Sequence, residues 1–295
     1  MRIAVTGGIG SGKSTFCGFL EALGFRHLNA DEIAHSLLEE EGVREAVLRR
    51  FGTLERPKIA EAVFREDESY RWLCDLLHPR VLEFLLREIS SLRPEEDVVV
   101  EIPLLFEVGV PGWVDMTVFV RTRREVALNR LSSRGWSEAE VERRERHLLP
   151  EDRKAKLSDL VVSNDGDLQA LKEKAERLAR RASLWRQVVD FEATFASASE
   201  AGAFIEEATR SRLAAFGRLE TCFALDPDPL AGKREAFRAV LRSVSLNSGE
   251  LVRLAERVGS PRGLSWTKLC GGSWRHLEEV CLLCGLLEGP LPQEL

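Results

Sequence analysis

The sequence predicts a three-layer α/β fold with a parallel sheet of about five strands, followed by an all-helical C-terminal domain. Short β-branched runs alternate with helix-like segments over residues 1–190, which is typical of a parallel sheet with helices on both faces. A glycine-rich loop directly follows the first of these runs. Strand signals stop after about residue 190, so residues 191–295 are expected to form a second, helical domain.

Composition narrows the function before any motif is considered. The chain has 295 residues, 44% of them hydrophobic and 31% charged, with a formal net charge of −6. An acidic protein of this kind is not expected to bind nucleic acid or an anionic membrane, so any phosphate must be held locally. No apolar run approaches the ~18 residues of a membrane span. The six cysteines do not form a secreted disulfide framework, and we expect a cytoplasmic protein.

The strand and helix signals follow one another in a simple order. Strand patterns occupy residues 2–6, 25–29, 97–102, 116–120 and 160–162. The first helix is expected over 13–23, and residues 31–90 have a helical pattern throughout, with one helix beginning at Pro79. Further helices are expected at residues 199–216, 233–244, 248–258 and 274–287. Asn247 is expected to cap the third of these, and Gly259 to end it.

A phosphate-binding loop lies between the first strand and the first helix. Gly7, Gly12, Lys13 and Ser14 match the full Gly-x4-Gly-Lys-Ser pattern in the strand–loop–helix context that it requires. Successive N–H groups of such a loop turn toward phosphate oxygens, and the helix adds its positive N-terminal end. Lys13 is expected to reach the β- and γ-phosphates of ATP, and Ser14 to bind Mg²⁺. The expected ATP contacts are Gly8, Ile9, Gly10, Ser11, Gly12, Lys13, Ser14 and Thr15.

Acidic residues follow two of the strands, at the sheet edge where ligands of open parallel sheets bind. Asp31 is a candidate catalytic residue that orients or deprotonates an attacking hydroxyl, but by position it could equally cap the next helix. Glu101 ends the third strand and is a candidate support for Mg²⁺ through water. Pro103 and Leu104 begin an apolar stretch that either lines a substrate pocket or packs under a helix. Glu107, further along, is expected to be a solvated surface glutamate.

Residues 121–154 are basic within an acidic chain, with ten Lys and Arg against seven Asp and Glu. Arg130 and Arg134 are four residues apart, so one helical face carries both. Such arginines can close over a transferring phosphoryl group and exclude water. Most arginines here are expected to be solvated, and Arg134, near the helix end, is the candidate catalytic arginine.

These segments together resemble dephospho-coenzyme A kinase. Only the phosphate-binding loop is widely shared, whereas the combination of the others, in this order, is specific. The segments are TGGIGSGKST (6–15), NADEIA (29–34), LLHPRV (76–81), EIPLLFE (101–107), VDMTVFV (114–120), RLSSRGWSEAE (130–140) and SDLVVSNDG (158–166).

The resemblance implies transfer of phosphate from ATP to the ribose 3′-hydroxyl of dephospho-CoA, giving CoA and ADP. It implies a P-loop core with a helical CoA-binding region at about 31–92 and a lid at about 121–156. It also implies that Asp31 is the catalytic aspartate, that Arg134 is the lid arginine, and that His78 contacts the substrate together with Pro103 and Leu104.

The chain departs from the family pattern in three places. Asn29 stands where the family usually has aspartate, which removes a negative charge and should make Asp31 slightly easier to ionise. A lid glutamine common in the family falls near His147, where the chain has none. The resemblance does not extend to residues 191–295. Three roles stay open for this segment, namely formation of a homo-oligomer, binding of a protein partner, or regulation of the kinase.

Two other interpretations stay open at this point. Another P-loop nucleoside or nucleotide kinase is disfavoured by the LLHPRV and EIPLLFE segments, and a non-catalytic nucleotide-binding regulator is disfavoured by the intact Lys13, Ser14 and Asp31.

In the C-terminal third, Cys270, Cys281 and Cys284 with nearby His276 suggest either a metal site or core packing. Cys281 and Cys284 lie three apart on a leucine-rich helix, and this spacing favours packing.

Overall fold

The computed structural model describes residues 1–93, 95–225, 233–268 and 273–295. The chain divides into two units, the first comprising Met1–Ala179 with Pro292–Leu295 and the second Arg180–Leu291. The sequence suggested a division near residue 190, which falls inside a strand of the second unit.

The first unit contains a five-stranded sheet in the order β2-β3-β1-β4-β5, in which every neighbouring pair is parallel. This confirms the predicted parallel sheet and its number of strands. The strands are β1 (Arg2–Gly7), β2 (Arg26–Asn29), β3 (Val98–Glu101), β4 (Met116–Arg121) and β5 (Leu160–Ser163). Glu294 forms a parallel bridge to Val161, so the last residues of the chain lie along β5.

Ten helices are described between Lys13 and Trp185, and the last of them continues into the second unit. They are α1 (Lys13–Ala22), α2 (Ala30–Leu37), α3 (Glu41–Phe51), α4 (Arg56–Arg65), α5 (Asp67–Ser91), α6 (Leu105–Val108), α7 (Arg124–Ser132), α8 (Glu138–Glu145), α9 (Glu151–Leu157) and α10 (Leu168–Trp185). Helices α2 to α5 confirm the helical pattern expected for residues 31–90. Their apolar side chains pack with Ala4, Val98 and Val100 of the sheet in one buried cluster, so this region is joined to the core.

The sequence predicts a helix that begins at Pro79. This is wrong, because Pro79 lies inside the continuous helix α5. An internal proline costs about 3 kcal/mol, since it removes one backbone hydrogen bond and its ring crowds the preceding turn. The side chains of Leu77, Val81 and Leu85, four apart on one face, are buried in the core. Burial of each contributes roughly 1.5–3 kcal/mol, which is enough to keep the helix intact across the proline.

The second unit is an α+β domain, so the predicted all-helical C-terminal domain is wrong. Its elements are β6 (Val188–Phe195), α11 (Ala198–Arg210), β7 (Phe216–Leu225), β8 (Lys233–Val244), α12 (Ser248–Val258), β9 (Gly263–Lys268) and α13 (Trp274–Leu283). The strands form an antiparallel sheet in the order β7-β8-β6-β9. This order and the βαββαβ succession are those of a ferredoxin-like fold.

Helix-favouring residues occupy one strand of this sheet. The segment predicted as a helix at 233–244 is β8, whose sequence KREAFRAVLRSV includes three Arg, two Ala and one Leu, all of which favour helices. Its alternate residues Phe237, Ala239 and Leu241 pair with Phe195, Ala193 and Phe191 of β6, and all six belong to one apolar cluster under α11 and α12. Cross-strand packing therefore overrides the local preference.

The helix predicted at 248–258 is confirmed, with Gly259 at its C-terminal cap. Asn247 occupies the N-cap position without a side-chain capping bond, because its amide donates to the Leu213 carbonyl at 3.0 Å.

Candidate active site

The glycine-rich loop has the backbone geometry that a phosphate-binding loop needs. Gly10 and Gly12 have φ angles of 75° and 89°, in the left-handed region where L side chains are strained. Helix α1 begins at Lys13, directly after the loop. The Lys13 ammonium donates to the Gly8 carbonyl at 2.9 Å, so its side chain lies along the loop. Backbone N–H groups and a helix N-terminus are thus combined in one place, which suits an anion.

A buried polar pair fixes the middle of this loop. The Asn164 amide donates to the Ser11 carbonyl at 2.7 Å, and the Thr122 hydroxyl donates to the same carbonyl at 3.1 Å. Both side chains are buried, and Arg130 donates to the Asn164 carbonyl at 3.0 Å. Asn164 and Thr122 have no sequence signal for this role, since only the fold brings the ends of β4 and β5 to the loop.

Glu101 forms a buried polar cluster beside α1. Its carboxylate accepts from the Ser14 hydroxyl at 2.9 Å and from the Asn29 amide at 3.4 Å. Burial raises the pKa of Glu101, and the Ser14 hydrogen bond and the Lys13 charge act in the opposite direction. Hydroxyl and carboxylate oxygens are the ligands that Mg²⁺ prefers, and a cation here would compensate the buried carboxylate. The residues therefore fit Mg²⁺ held by Ser14 and supported by Glu101.

Asp31 does not cap α2, because Asn29 does. The Asn29 side-chain oxygen accepts from the backbone N–H groups of Asp31 and Glu32 at 2.9 and 3.3 Å. The Asp31 carboxylate is left open to the cleft. The surrounding protein withdraws it from bulk water, which raises its pKa, while the Lys13 charge lowers it. Burial in turn lowers the pKa of Lys13, against the attraction of Glu101 and Asp31.

Two cavities meet at Asp31. A nucleotide-side cavity of about 1090 Å³ is lined by Lys13, Ser14 and Glu101 together with Asp31. An apolar cavity of about 460 Å³, formed largely by α2, α4 and α5, is lined by His78 and also reaches Asp31. Residues shared by both cavities are Asp31, Phe64, Tyr70, Pro103, Leu104 and Arg144. Most of the predicted site residues line one or both of these cavities, whereas Gly8 and Ser11 line neither.

Arg134 and two other arginines line the nucleotide-side cavity. Arg134 is exposed, and no hydrogen bond or ion pair of its side chain is found among the described residues. Arg144 lies between the rings of Phe64 and Trp136, with its guanidinium carbon 4.3 Å from each centroid. Arg144 could not be predicted from the sequence, because its two aromatic partners lie in different parts of the chain.

Glu107 is not a solvated surface residue, which corrects the expectation from the sequence. Its Oε1 atom accepts from the Lys154 ammonium at 2.6 Å and from the Leu149 N–H at 2.9 Å. Lys154 is only 2% exposed and also donates to the Pro103 carbonyl at 3.2 Å. Thr6 donates to that carbonyl at 3.0 Å, so β1, the Pro103 loop and α9 are joined by polar contacts.

His147 occupies the region where the family pattern has glutamine. Its side chain is 7% exposed and stacks on Tyr70, with ring centroids 4.3 Å apart and planes inclined by 15°. An aromatic contact between the 121–156 segment and α5 therefore exists at this place.

Two of the candidate cysteines lie at the end of α13, where Cys281 is within the helix and Cys284 is its C-terminal cap. Cys281 is buried and donates weakly to the Leu184 carbonyl, and burial raises its pKa to about 12. Burial also raises the pKa of Cys284. His276 contacts Arg242 at 2.8 Å and stacks on Phe216. Cys270 lies outside the described residues.

The family model described as dephospho-CoA kinase (CoaE) matches residues 1–170, more than half of the chain. The chain belongs to the dephospho-CoA kinase family. Curated dephospho-CoA kinases of Fusobacterium nucleatum and Helicobacter pylori are 33% and 35% identical to it, each over 60% of this chain and 96% and 95% of their own lengths.

The solved structure of TT1252 from Thermus thermophilus matches a similar part of the chain. The two sequences are 35% identical, the TM-score is 0.53, and the match covers 61% of this chain and 96% of TT1252. The dephospho-CoA kinase relationship thus covers about three fifths of the chain, as the sequence motifs indicated. Among the described helices of this family member, none combines the length and apolar character that crossing a membrane requires.

Proposed function

We propose that this protein transfers the γ-phosphate of ATP to the ribose 3′-hydroxyl of dephospho-CoA, forming CoA and ADP. The observation that carries the proposal is the position of Asp31, where the cavity of the phosphate-binding loop meets the apolar cavity. A carboxylate at this junction lies between a phosphate donor and an acceptor held on the other side. Family membership supports this choice of donor and acceptor.

ATP occupies the nucleotide-side cavity in this proposal. The backbone of residues 8–15 surrounds its phosphates, and Lys13 places a positive charge on the terminal ones. Mg²⁺, when bound, neutralises phosphate charge, and Ser14 would hold it with support from Glu101. Asn164 and Thr122 keep the loop in its binding conformation through the Ser11 carbonyl.

Dephospho-CoA occupies the apolar cavity, with His78, Pro103 and Leu104 in its wall. Burial lowers the pKa of His78, so its imidazole is neutral and can donate or accept a hydrogen bond. The ribose hydroxyl points to Asp31, which orients it and accepts its proton as the new bond to phosphorus forms. The raised pKa of Asp31 makes this carboxylate a stronger base than a free aspartate.

Arg134 stabilises the charge of the transferring group from the lid side, since it lines the cavity with its guanidinium unpaired among the described residues. Arg144, fixed between two rings, shapes the junction of the two cavities. We place the reaction in the cytoplasm, because the five cysteines that the structure describes are all free, which suits a reducing compartment. A homo-oligomer or protein contact is our proposal for residues 191–295.

A coupled assay of ADP release tests the proposal, with ATP, Mg²⁺ and a panel of acceptors. We expect turnover with dephospho-CoA and little with adenosine, nucleoside monophosphates or CoA. Mass spectrometry of the product should show one added phosphate at the 3′ position. Turnover with a nucleoside monophosphate but none with dephospho-CoA would overturn the assignment, and ATP binding without any turnover would favour a nucleotide-binding regulator.

A further inference from the structure

A thiol and an imidazole lie next to Glu101, outside the phosphate-binding loop. Cys17 Sγ, a ring nitrogen of His27 and a carboxylate oxygen of Glu101 all lie within 4.8 Å of one another. Cys17 is on α1 and fully buried, His27 is on β2, and Glu101 ends β3. Among the described residues, this is the group of three metal-ligating side chains that the fold brings together.

The imidazole has an unused ligand atom directed at this cluster. His27 Nε2 is buried and has no hydrogen-bond partner in the described part of the chain. It lies 3.9 Å from Glu101 Oε2, which is too long for a hydrogen bond. Two ligand atoms bound to one tetrahedral Zn²⁺ at about 2.0–2.1 Å each lie roughly 3.3 Å apart. The 3.9 Å gap is too long for a direct contact, and a shift of roughly half an ångström brings both atoms to the spacing that a shared cation sets.

The other side of the ring is also arranged as in metal sites. Glu21 Oε2 lies 3.7 Å from His27 Nδ1, so a carboxylate faces the nitrogen opposite the cluster. A carboxylate in this position orients a ligating histidine and increases its basicity. Glu101 itself lines the nucleotide-side cavity beside Ser14, which gives an ion a path from solvent.

We propose that Cys17 Sγ, His27 Nε2 and the Glu101 carboxylate bind a borderline-soft divalent cation of the Zn²⁺ type. Sulfur and imidazole donors select Zn²⁺ over Mg²⁺, which prefers oxygen. On binding, the Cys17 S–H bond breaks, the S–Zn bond forms and the proton passes to the buffer.

Zinc bound through Glu101 Oε2 competes with the Asn29 amide for that oxygen and places a divalent charge beside the Ser14 hydrogen bond on Oε1, and so inhibits phosphoryl transfer. The inhibition rests on the proposed function, whereas binding does not. The two claims can therefore fail separately.

Direct metal binding tests the site on the full-length protein, without nucleotide or Mg²⁺. Zinc chloride is titrated calorimetrically into the wild type and into the Cys17→Ser, His27→Gln and Cys222→Ala variants. Cys222 is a free cysteine of the second unit, so Cys222→Ala controls for binding to unrelated thiols. We expect the first two variants to lose one bound zinc or to weaken it by about tenfold or more, and the control to match the wild type.

Cobalt substitution gives a second readout that a merely structural role would not change. Co²⁺ in the wild type should show thiolate-to-cobalt charge-transfer absorption, which should vanish in Cys17→Ser and remain in Cys222→Ala. Melting temperatures confirm that each variant is folded. If Cys17→Ser binds zinc with the stoichiometry and affinity of the wild type, and keeps the cobalt band, the site is wrong.

Kinase assays then test the consequence of binding. At saturating Mg·ATP, zinc should inhibit the wild type and Cys222→Ala at concentrations about tenfold or more below those needed for Cys17→Ser. Equal zinc sensitivity of all three proteins, despite lost binding in Cys17→Ser, would refute the inhibition and leave the binding site standing. An inactive wild type would instead refute the proposed function.

Discussion

Breaking the buried ion pair between Glu107 and Lys154 should destabilise the first unit strongly. Lys154 is 2% exposed and Glu107 is 15% exposed, and their charged atoms are 2.6 Å apart. In Lys154→Met, Glu107 keeps only the Leu149 N–H, since its second oxygen already lacks a partner among the described residues. Removing one partner of a buried pair costs about 3–5 kcal/mol. For a unit of this size the melting temperature should fall by about 6–20 °C.

An exposed pair of the same length supplies the matched control. Lys58 and Glu55 are 2.7 Å apart but 62% and 63% exposed, so Lys58→Met should cost at most about 1 kcal/mol. Differential scanning calorimetry and denaturant unfolding measure both variants. The double variant Lys154→Met/Glu107→Gln should recover part of the loss, because no uncompensated charge remains. Equal, small losses in Lys154→Met and Lys58→Met would refute the reasoning that burial makes the difference.

Three further outcomes follow from the contacts. Asn164→Ala removes the buried bond to the Ser11 carbonyl, which should weaken ATP binding by about 1–3 kcal/mol in calorimetry; unchanged affinity would show that the bond does not hold the loop. Asp31 acts in its ionised form and its pKa is raised, so kcat/KM should fall as the pH is lowered, with a midpoint above the ~3.9 of a free aspartate. A pH profile whose acid midpoint lies at or below ~3.9 would contradict a raised pKa. Glu278 is buried and accepts from Arg181 at 3.0 Å, so Glu278→Gln should destabilise the second unit by about 3 kcal/mol in hydrogen exchange, and unaltered protection would refute it.

The first unit could be predicted from the sequence because its local and tertiary preferences agree. Strand β3 is a run of valines and β1 leads into a glycine loop, so residue type and context point to the same structure. The phosphate-binding loop is recognisable since all of its parts are adjacent in the chain. The sequence predicts Asp31 at the end of β2, but it does not show whether Asn29 or Asp31 caps α2, because both residue types cap helices. Only the structure shows that Asn29 is the cap.

The features that sequence missed depend on contacts between distant residues. Strand β8 has helix-favouring residues, and only its pairing with β6 on one side and β7 on the other makes it a strand. Pro79 lies within α5 because burial of one face of this helix outweighs the cost of the internal proline. Glu107 looks like an ordinary glutamate until α9 brings Lys154 to it, 47 positions later in the chain by their numbering. No period or motif in the sequence carries these pairings.

Asp31→Asn tests the central claim most directly, since asparagine keeps the shape and removes the base. We expect the rate of phosphoryl transfer in a single turnover to fall by about 10²–10⁴-fold, with ATP affinity close to that of the wild type. A rate within a few-fold of the wild type, or a loss of ATP binding as large as the loss of rate, would mean that Asp31 does not act on the acceptor hydroxyl.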